Sequence, residues 1–213
     1  MTDSTVSVTG ESTVTETPDQ AAVSFSVVSE DDDQSVVVSE LDDDSTTVLA
    51  ALEEQHGLSE EVTTQRYSID RQRSPHQEEV DEEDYRGIHA YTVTLTDTER
   101  VGDVIDTLVT NGADSLDNVE FNLSDSTYQE CREEAIRGAV EDARNEARIA
   151  AEAENLVLNS VVEMNVDRTN RAPVSRSSGV ALAMSAEDVS TDVKNEDVSV
   201  SATVSVEYTL IQA

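Results

Sequence analysis

A chain with 47 acidic side chains against 13 basic ones becomes compact only where its own repulsion is held off. The formal net charge is −34. Such a charge leaves two outcomes, a disordered chain or a folded one whose surface is screened by salt. The acids are spread through periodic apolar segments rather than gathered in a tail, which favours folding. Among the bases there are twelve Arg and a single Lys, Lys194. At the roughly 3 Å Debye length of molar salt, repulsion between surface carboxylates is largely screened. The sequence therefore reads as a salt-adapted folded protein whose acidic surface carries hydrated K+ or Na+. The same charge repels a phosphate backbone and an anionic membrane surface, so neither nucleic acid nor lipid is an expected partner.

Apolar residues make up 37%, but aromatics only 3%, and Trp is absent. The core must then come from Val, Ala, Leu and Ile, and the Val and Thr content favours strands. With 213 residues the chain suits one large domain or two small ones sharing a core. A lone cysteine, Cys131, excludes an internal disulfide and a Cys-based metal cluster. No apolar run approaches the ~20 residues of a membrane-spanning helix. Met1–Ser4 lacks the basic start of a signal peptide. The expectation is a soluble, cytoplasmic chain as it stands, or an envelope or extracellular one if a leader was removed.

Along the chain, Thr5–Gly10 alternates as a strand, with Val6 and Val8 on one face. After the Pro18-Asp19 turn, Ala21, Val23, Phe25 and Val27 mark a second. Asp31–Asp33 suits a helix start, and Val37, Leu41, Val48 and Leu52 recur at helical spacing up to Gly57, although Val36–Val38 also suits a strand. Val62–Arg73 is a third strand, Ser74–Arg86 an acidic loop, and Ile88–Thr96 a fourth strand with Ile88, Ala90, Thr92 and Thr94 on one face and Tyr91, Val93 and Leu95 on the other. Asp97 or Thr98 caps a short helix ended by Gly112, and Val119–Leu123 is a fifth strand. A long helix follows, from Asp125 or Ser126 to about Glu154. Cys131, Ala135, Ala139, Ala143, Ala147 and Ala151 recur along it every four residues, and Asn155 terminates it. Strands Leu156–Val166 and Val198–Tyr208 close the chain. The fold class is α+β, with a β-α-β-β-α-β core in ferredoxin-like order followed by a long helix and two further strands. The expectation is a single domain over 1–213, divided into a 4–124 portion and a 125–211 portion, with a flexible loop at 167–190.

That loop holds Arg168, Arg171 and Arg176 beside the apolar run Val180, Leu182 and Met184, with no acid from 169 to 185. A cationic, apolar stretch in so acidic a chain is either a linker or a contact that meets the acids of a second copy.

Taken in order, Val6-Ser7-Val8-Thr9-Gly10-Glu11, Pro18-Asp19-Gln20-Ala21 and Val23 resemble the N-terminal signature of SIMPL-domain proteins. The positions Gly57-Leu58, Val62, Thr64, Tyr67 and Ile69 are similar to that family's helix-to-strand segment. So are Val101-Gly102, Ile105 and Gly112-Ala113, and Arg137–Arg144 resembles its long Ala- and Arg-rich helix. The resemblance covers roughly Thr5 to Leu210, and with the salt-adapted charge the expectation is a haloarchaeal-type member or one from a similar extreme halophile. Asn155 and Asn159 replace the family's usual Gly, and Ile88 its usual aromatic. The family includes bacterial periplasmic immunogenic and oxidative-stress-defence proteins. The resemblance implies a cell-envelope or interaction protein, in a family some of whose members form ring-like homo-oligomers, and it carries no catalytic residue across.

The residues themselves point to no enzyme and no cofactor. His56, His76 and His89 are too widely separated for a local zinc motif. Cys131 sits on the Ala stripe as a small buried hydrophobe. Asp31–Asp33, Asp42–Asp44 and Glu78–Asp84 lack the ligand spacing of a calcium loop. Asn122-Leu123-Ser124 fits a glycosylation acceptor but falls in a predicted strand. The leading expectation is a non-catalytic, self-assembling protein of envelope or stress maintenance. The alternative is a module binding a divalent cation or partner protein through Glu78–Asp84. Thermal melts followed by circular dichroism across a KCl series are expected to show a midpoint that climbs from dilute buffer to molar salt. A midpoint indifferent to salt overturns the charge argument.

Overall fold

The computed structural model describes residues 4–58, 61–72, 84–167 and 196–212. Among these there are three α-helices and seven strands, and the strands form two antiparallel sheets. In chain order the elements are β1 Ser4–Glu16, β2 Gln20–Asp31, α1 Gln34–His56, β3 Val62–Gln72, β4 Asp84–Leu95, α2 Val101–Thr110, β5 Ser115–Asn122, α3 Asp125–Ala153, β6 Leu156–Val166 and β7 Val198–Gln212. A 3-10 turn over Thr98–Arg100 leads into α2. The fold is α+β. Its contacts gather in two compact units, one drawn from residues 4–18, 123–167 and 196–212, the other from 19–122.

The first unit is a three-stranded sheet in the order β1-β7-β6, with α3 packed on it. β1 and β7 run antiparallel in unbroken register from Ser4 opposite Leu210 to Glu16 opposite Val198. β1 is therefore longer than the strand expected at Thr5–Gly10. It also belongs with α3 and β7 rather than with the rest of 4–124, because alternation marks a strand's apolar face but does not name its partner. α3 starts at Ser124, whose hydroxyl accepts from the Thr127 amide. It ends before Asn155, which takes the left-handed conformation at φ 56°. Its stripe of Cys131, Ala135, Ala139, Ala143, Ala147 and Ala151 is buried, against Ala202, Val204, Val206 and Tyr208 of β7.

Two glycines set the depth of that contact. A Cβ on Gly10 of β1 would fall on the Ala139 carbonyl and the Ala143 amide, so helix backbone lies directly on strand backbone. A Cβ on Gly138 would fall on the side chain of Ser12. Glycine is what permits such close approach.

The second unit is a four-stranded sheet in the order β3-β4-β2-β5, with α1 and α2 on one face. Ala21, Val23, Phe25 and Val27 of β2 and Tyr91, Val93 and Leu95 of β4 are buried under Leu41, Val48 and Leu52 of α1 and Val104, Ile105 and Leu108 of α2. Phe25 stacks on Tyr91 with ring centroids 5.4 Å apart. α1 begins where its carboxylates allow, since Asp33 is the N-cap and accepts from the Ser35 amide at 2.8 Å. Val36–Val38 thus continue a helix rather than a strand. Asp84–Arg86, expected in a loop, open β4 instead. Residues 73–83, and 168–190 of the expected flexible loop, lie outside the described residues.

Gly10→Ala is expected to push α3 off the sheet and destabilise the protein by about 1–3 kcal/mol, the usual cost of overpacking. Gly138→Ala meets a side chain that can turn and should cost less. Guanidinium unfolding of both variants in molar KCl checks the order, and equal losses would contradict it.

Candidate functional site

Arg168, Arg171, Arg176, Val180, Leu182 and Met184 lie outside the described residues, as do His76 and Glu78–Glu83. What the structure does bring together are two polar clusters in the second unit and one apolar surface in the first.

The first cluster surrounds His89 of β4. Its Nδ1 lies 2.6 Å from the Tyr91 hydroxyl and 3.2 Å from Ser45 Oγ of α1, and its Nε2 lies 3.4 Å from Thr64 Oγ1 of β3. Tyr67 meets the ring edge-on at 5.0 Å. Strand register explains the gathering: Tyr67 stands opposite His89, and Thr64 opposite Tyr91. All four therefore share the face that α1 covers. Burial pushes His89 below its ordinary value, partly offset by the Asp42 carboxylate. Burial also pushes the Tyr91 phenol up. A serine beside an imidazole is the minimum for an activated nucleophile. Ser45, however, is only 4% exposed, so its hydroxyl serves to satisfy the buried ring.

The second cluster closes the end of α1. His56 Nε2 lies 2.9 Å from Thr107 Oγ1 of α2, and Thr107 donates to Gln55 Oε1 at 3.1 Å. Arg100 reaches both His56 Nδ1, at 3.0 Å, and the His56 carbonyl, at 3.3 Å. Burial first, then the Arg100 guanidinium, hold His56 below its ordinary value, against the pull of Asp103.

Cys131 is buried, and that burial raises its thiol, with Glu16, Glu134 and Glu130 adding to the effect. This is the reverse of the cationic setting that makes a reactive thiolate. Glu133 and Arg137 form an i, i+4 pair at 3.1 Å, on an exposed face where it contributes little. Asp33 serves as a helix cap, and Asn122 is the last residue of β5. Among the described residues, no group of three or more His, Cys, Asp or Glu is placed to hold a metal ion. No described helix is long and apolar enough to cross a membrane.

The apolar surface is on β6. Val161, Met164 and Val166 stand opposite Tyr208, Val206 and Val204, hence on the face of the sheet that α3 covers. The β7 residues are 2%, 3% and 0% exposed, whereas their β6 partners are 46%, 41% and 37% exposed. Sequence reading missed this, although the run Val161-Val162-Glu163-Met164 breaks strict alternation, which was the available signal. The register shifts there twice, between Leu158 and Val161 and again before Glu163.

The model of the SIMPL family, described as a protein of unknown function (DUF541), matches residues 6–208. The chain belongs to the SIMPL family. A comparison with curated proteins finds no match. For this SIMPL protein the chemistry therefore has to be read from its own residues. A neutral His89 favours the fold above about pH 6.5. Below that the unfolded chain takes up its proton first, and stability falls until the folded ring is protonated as well. Denaturant unfolding in molar KCl is expected to give a smaller free energy at pH 5.5 than at pH 7.5, with the difference reduced in His89→Gln. An undiminished difference in the variant would remove His89 from the account.

Proposed function

We propose that this SIMPL protein is a non-catalytic component that assembles with copies of itself, in salt-adapted form, and serves cell-envelope or stress maintenance. The observation carrying the assembly reading is the uncovered continuation of the core face on β6. Val161, Met164 and Val166 extend a surface that α3 covers elsewhere. Burying such a strip against a second copy removes apolar area from water at about 25 cal/mol per Å2.

Charge supports the same place. A second copy also carries −34, so contact favours the surface poorest in carboxylates. From Leu156 to Val166 the only ionisable side chain is Glu163. Arg168 follows two residues after β6, so a contact joining this strand to Arg168, Arg171, Arg176, Val180, Leu182 and Met184 is contiguous in the chain. The envelope and stress role rests on the resemblance to periplasmic and oxidative-stress-defence members. For residues 19–122 we retain the split-βαβ, ferredoxin-like reading. Its support is the order β3-β4-β2-β5, in which β4 lies between the two strands joined by α1.

Multi-angle light scattering in molar KCl should find a particle of several chains. Met164→Asp combined with Val166→Asp should shift it to smaller mass while the circular dichroism is kept. A monomer at high concentration in the unaltered protein overturns the assembly reading. Saturable heat on titrating Ca2+ would then favour the cation module at Glu78–Asp84.

A further inference from the structure

The donors and acceptors in the cluster at the end of α1 assign its hydrogens. A guanidinium only donates, so Arg100 must donate to His56 Nδ1, which is therefore bare. The ring proton then sits on Nε2 and points to Thr107 Oγ1, whose own proton goes on to Gln55 Oε1. Asn111 Nδ2 donates to the Thr107 carbonyl at 2.7 Å, tying the far end of α2 into the same chain of bonds. The same Arg100 guanidinium also caps the His56 carbonyl in the last turn of α1. One side chain thus holds both the imidazole and the helix terminus. The cluster borders a recess of about 420 Å3 lined by Gln55, His56, Asp103, Asp106, Thr107, Thr110 and Asn111.

We infer that His56 is a proton-operated latch: a proton arriving at Nδ1 expels Arg100 and so releases the α1 terminus from the turn that precedes α2. Protonation puts a donor against a donor and a cation against a cation at 3.0 Å. Neither ring nitrogen can then accept, and the guanidinium has to leave. The charged groups acting on the ring are Arg100 from the turn and Asp103 from α2, and Asp106 of α2 lines the same recess. Arg100 opposes the proton and Asp103 welcomes it, and burial sides with Arg100. The latch is therefore closed at neutral pH and opens on acidification, below the ordinary histidine range.

Two readouts test this on the whole chain in molar KCl, where the −34 background is screened. Imidazole NMR follows His56 itself, and amide hydrogen exchange follows residues 53–57 and 98–101. His56 is expected to titrate below about 6.5. Along the same curve, exchange in both segments should quicken by roughly tenfold after correction for intrinsic rates. Arg100→Gln should let His56 titrate closer to its ordinary value and uncouple exchange from it, while Arg100→Lys, which keeps charge and donor, should preserve the low value. His56→Gln should leave exchange in these segments without a step. The inference is overturned if unaltered His56 titrates at or above the ordinary value, or if protection around Arg100 does not change as it titrates. Both measurements on the unaltered protein decide the matter even where a variant fails to fold.

Discussion

A core poor in aromatic side chains gains density where backbones come close, and much of this structure follows from that constraint. Trp is absent and aromatics are 3% of the chain. In the first unit the solution is an alanine stripe on α3 laid over Gly10 and beside Ser12, helix backbone against strand backbone. In the second, Gly87 of β4 lies under Val37 and Leu41 of α1, and a Cβ there would meet Val37 Cγ1 at 2.7 Å. Small groups make few dispersion contacts each, so density has to come from proximity.

Against that background the acids stay outside, and the polar groups that do go inside are nearly neutral. Ser26, Ser29, Ser45 and Thr107 are the buried polar residues among those described, and the two described histidines sit beside two of them. The Ser45–His89–Tyr91 group and the Arg100–His56–Thr107–Gln55 chain satisfy one another with short hydrogen bonds, as buried polar groups must. Each joins a helix to a neighbouring element, α1 to β4 in one case and α1 to α2 in the other. The apolar packing sets how close these elements lie, and the polar groups set how they end.

The sheets show the same economy on their other faces. Thr9 bonds to Ser205 at 3.2 Å and Thr13 to Ser201 at 2.9 Å across β1 and β7. Ser24 bonds to Thr92 at 3.0 Å and Ser26 to Ser115 at 2.7 Å in the other sheet. Hydroxyl ladders cross-link strands without adding charge to a chain already at −34. The departure is β6, which keeps Val161, Met164 and Val166 exposed at an edge that α3 covers only in part. Its two register shifts are the kind of irregularity edge strands use to discourage unplanned pairing.

The sequence by itself determined what is local. Alternation at Ala21–Val27 set out the face of β2 that is buried, and at Ile88–Leu95 it separated two faces of β4 without choosing between them. Fourfold spacing of alanine drew the stripe of α3, and Asp33, Gly57 and Asn155 marked helix ends. These were legible because periodicity and cap chemistry depend on neighbours a few residues away. Only the tertiary structure decided what covers each face. The pairing of Thr9 with Ser205 joins residues 196 apart, and nothing in the local pattern of β1 names β7 over another strand. Gly10 read as part of a family signature, and its physical role needed the helix above it. The exposed apolar side of β6 became visible only once its pairing with β7 was known. The protonation of His56 depended on Arg100, 44 residues away in sequence, because a ring nitrogen's role is set by whichever donor reaches it in space.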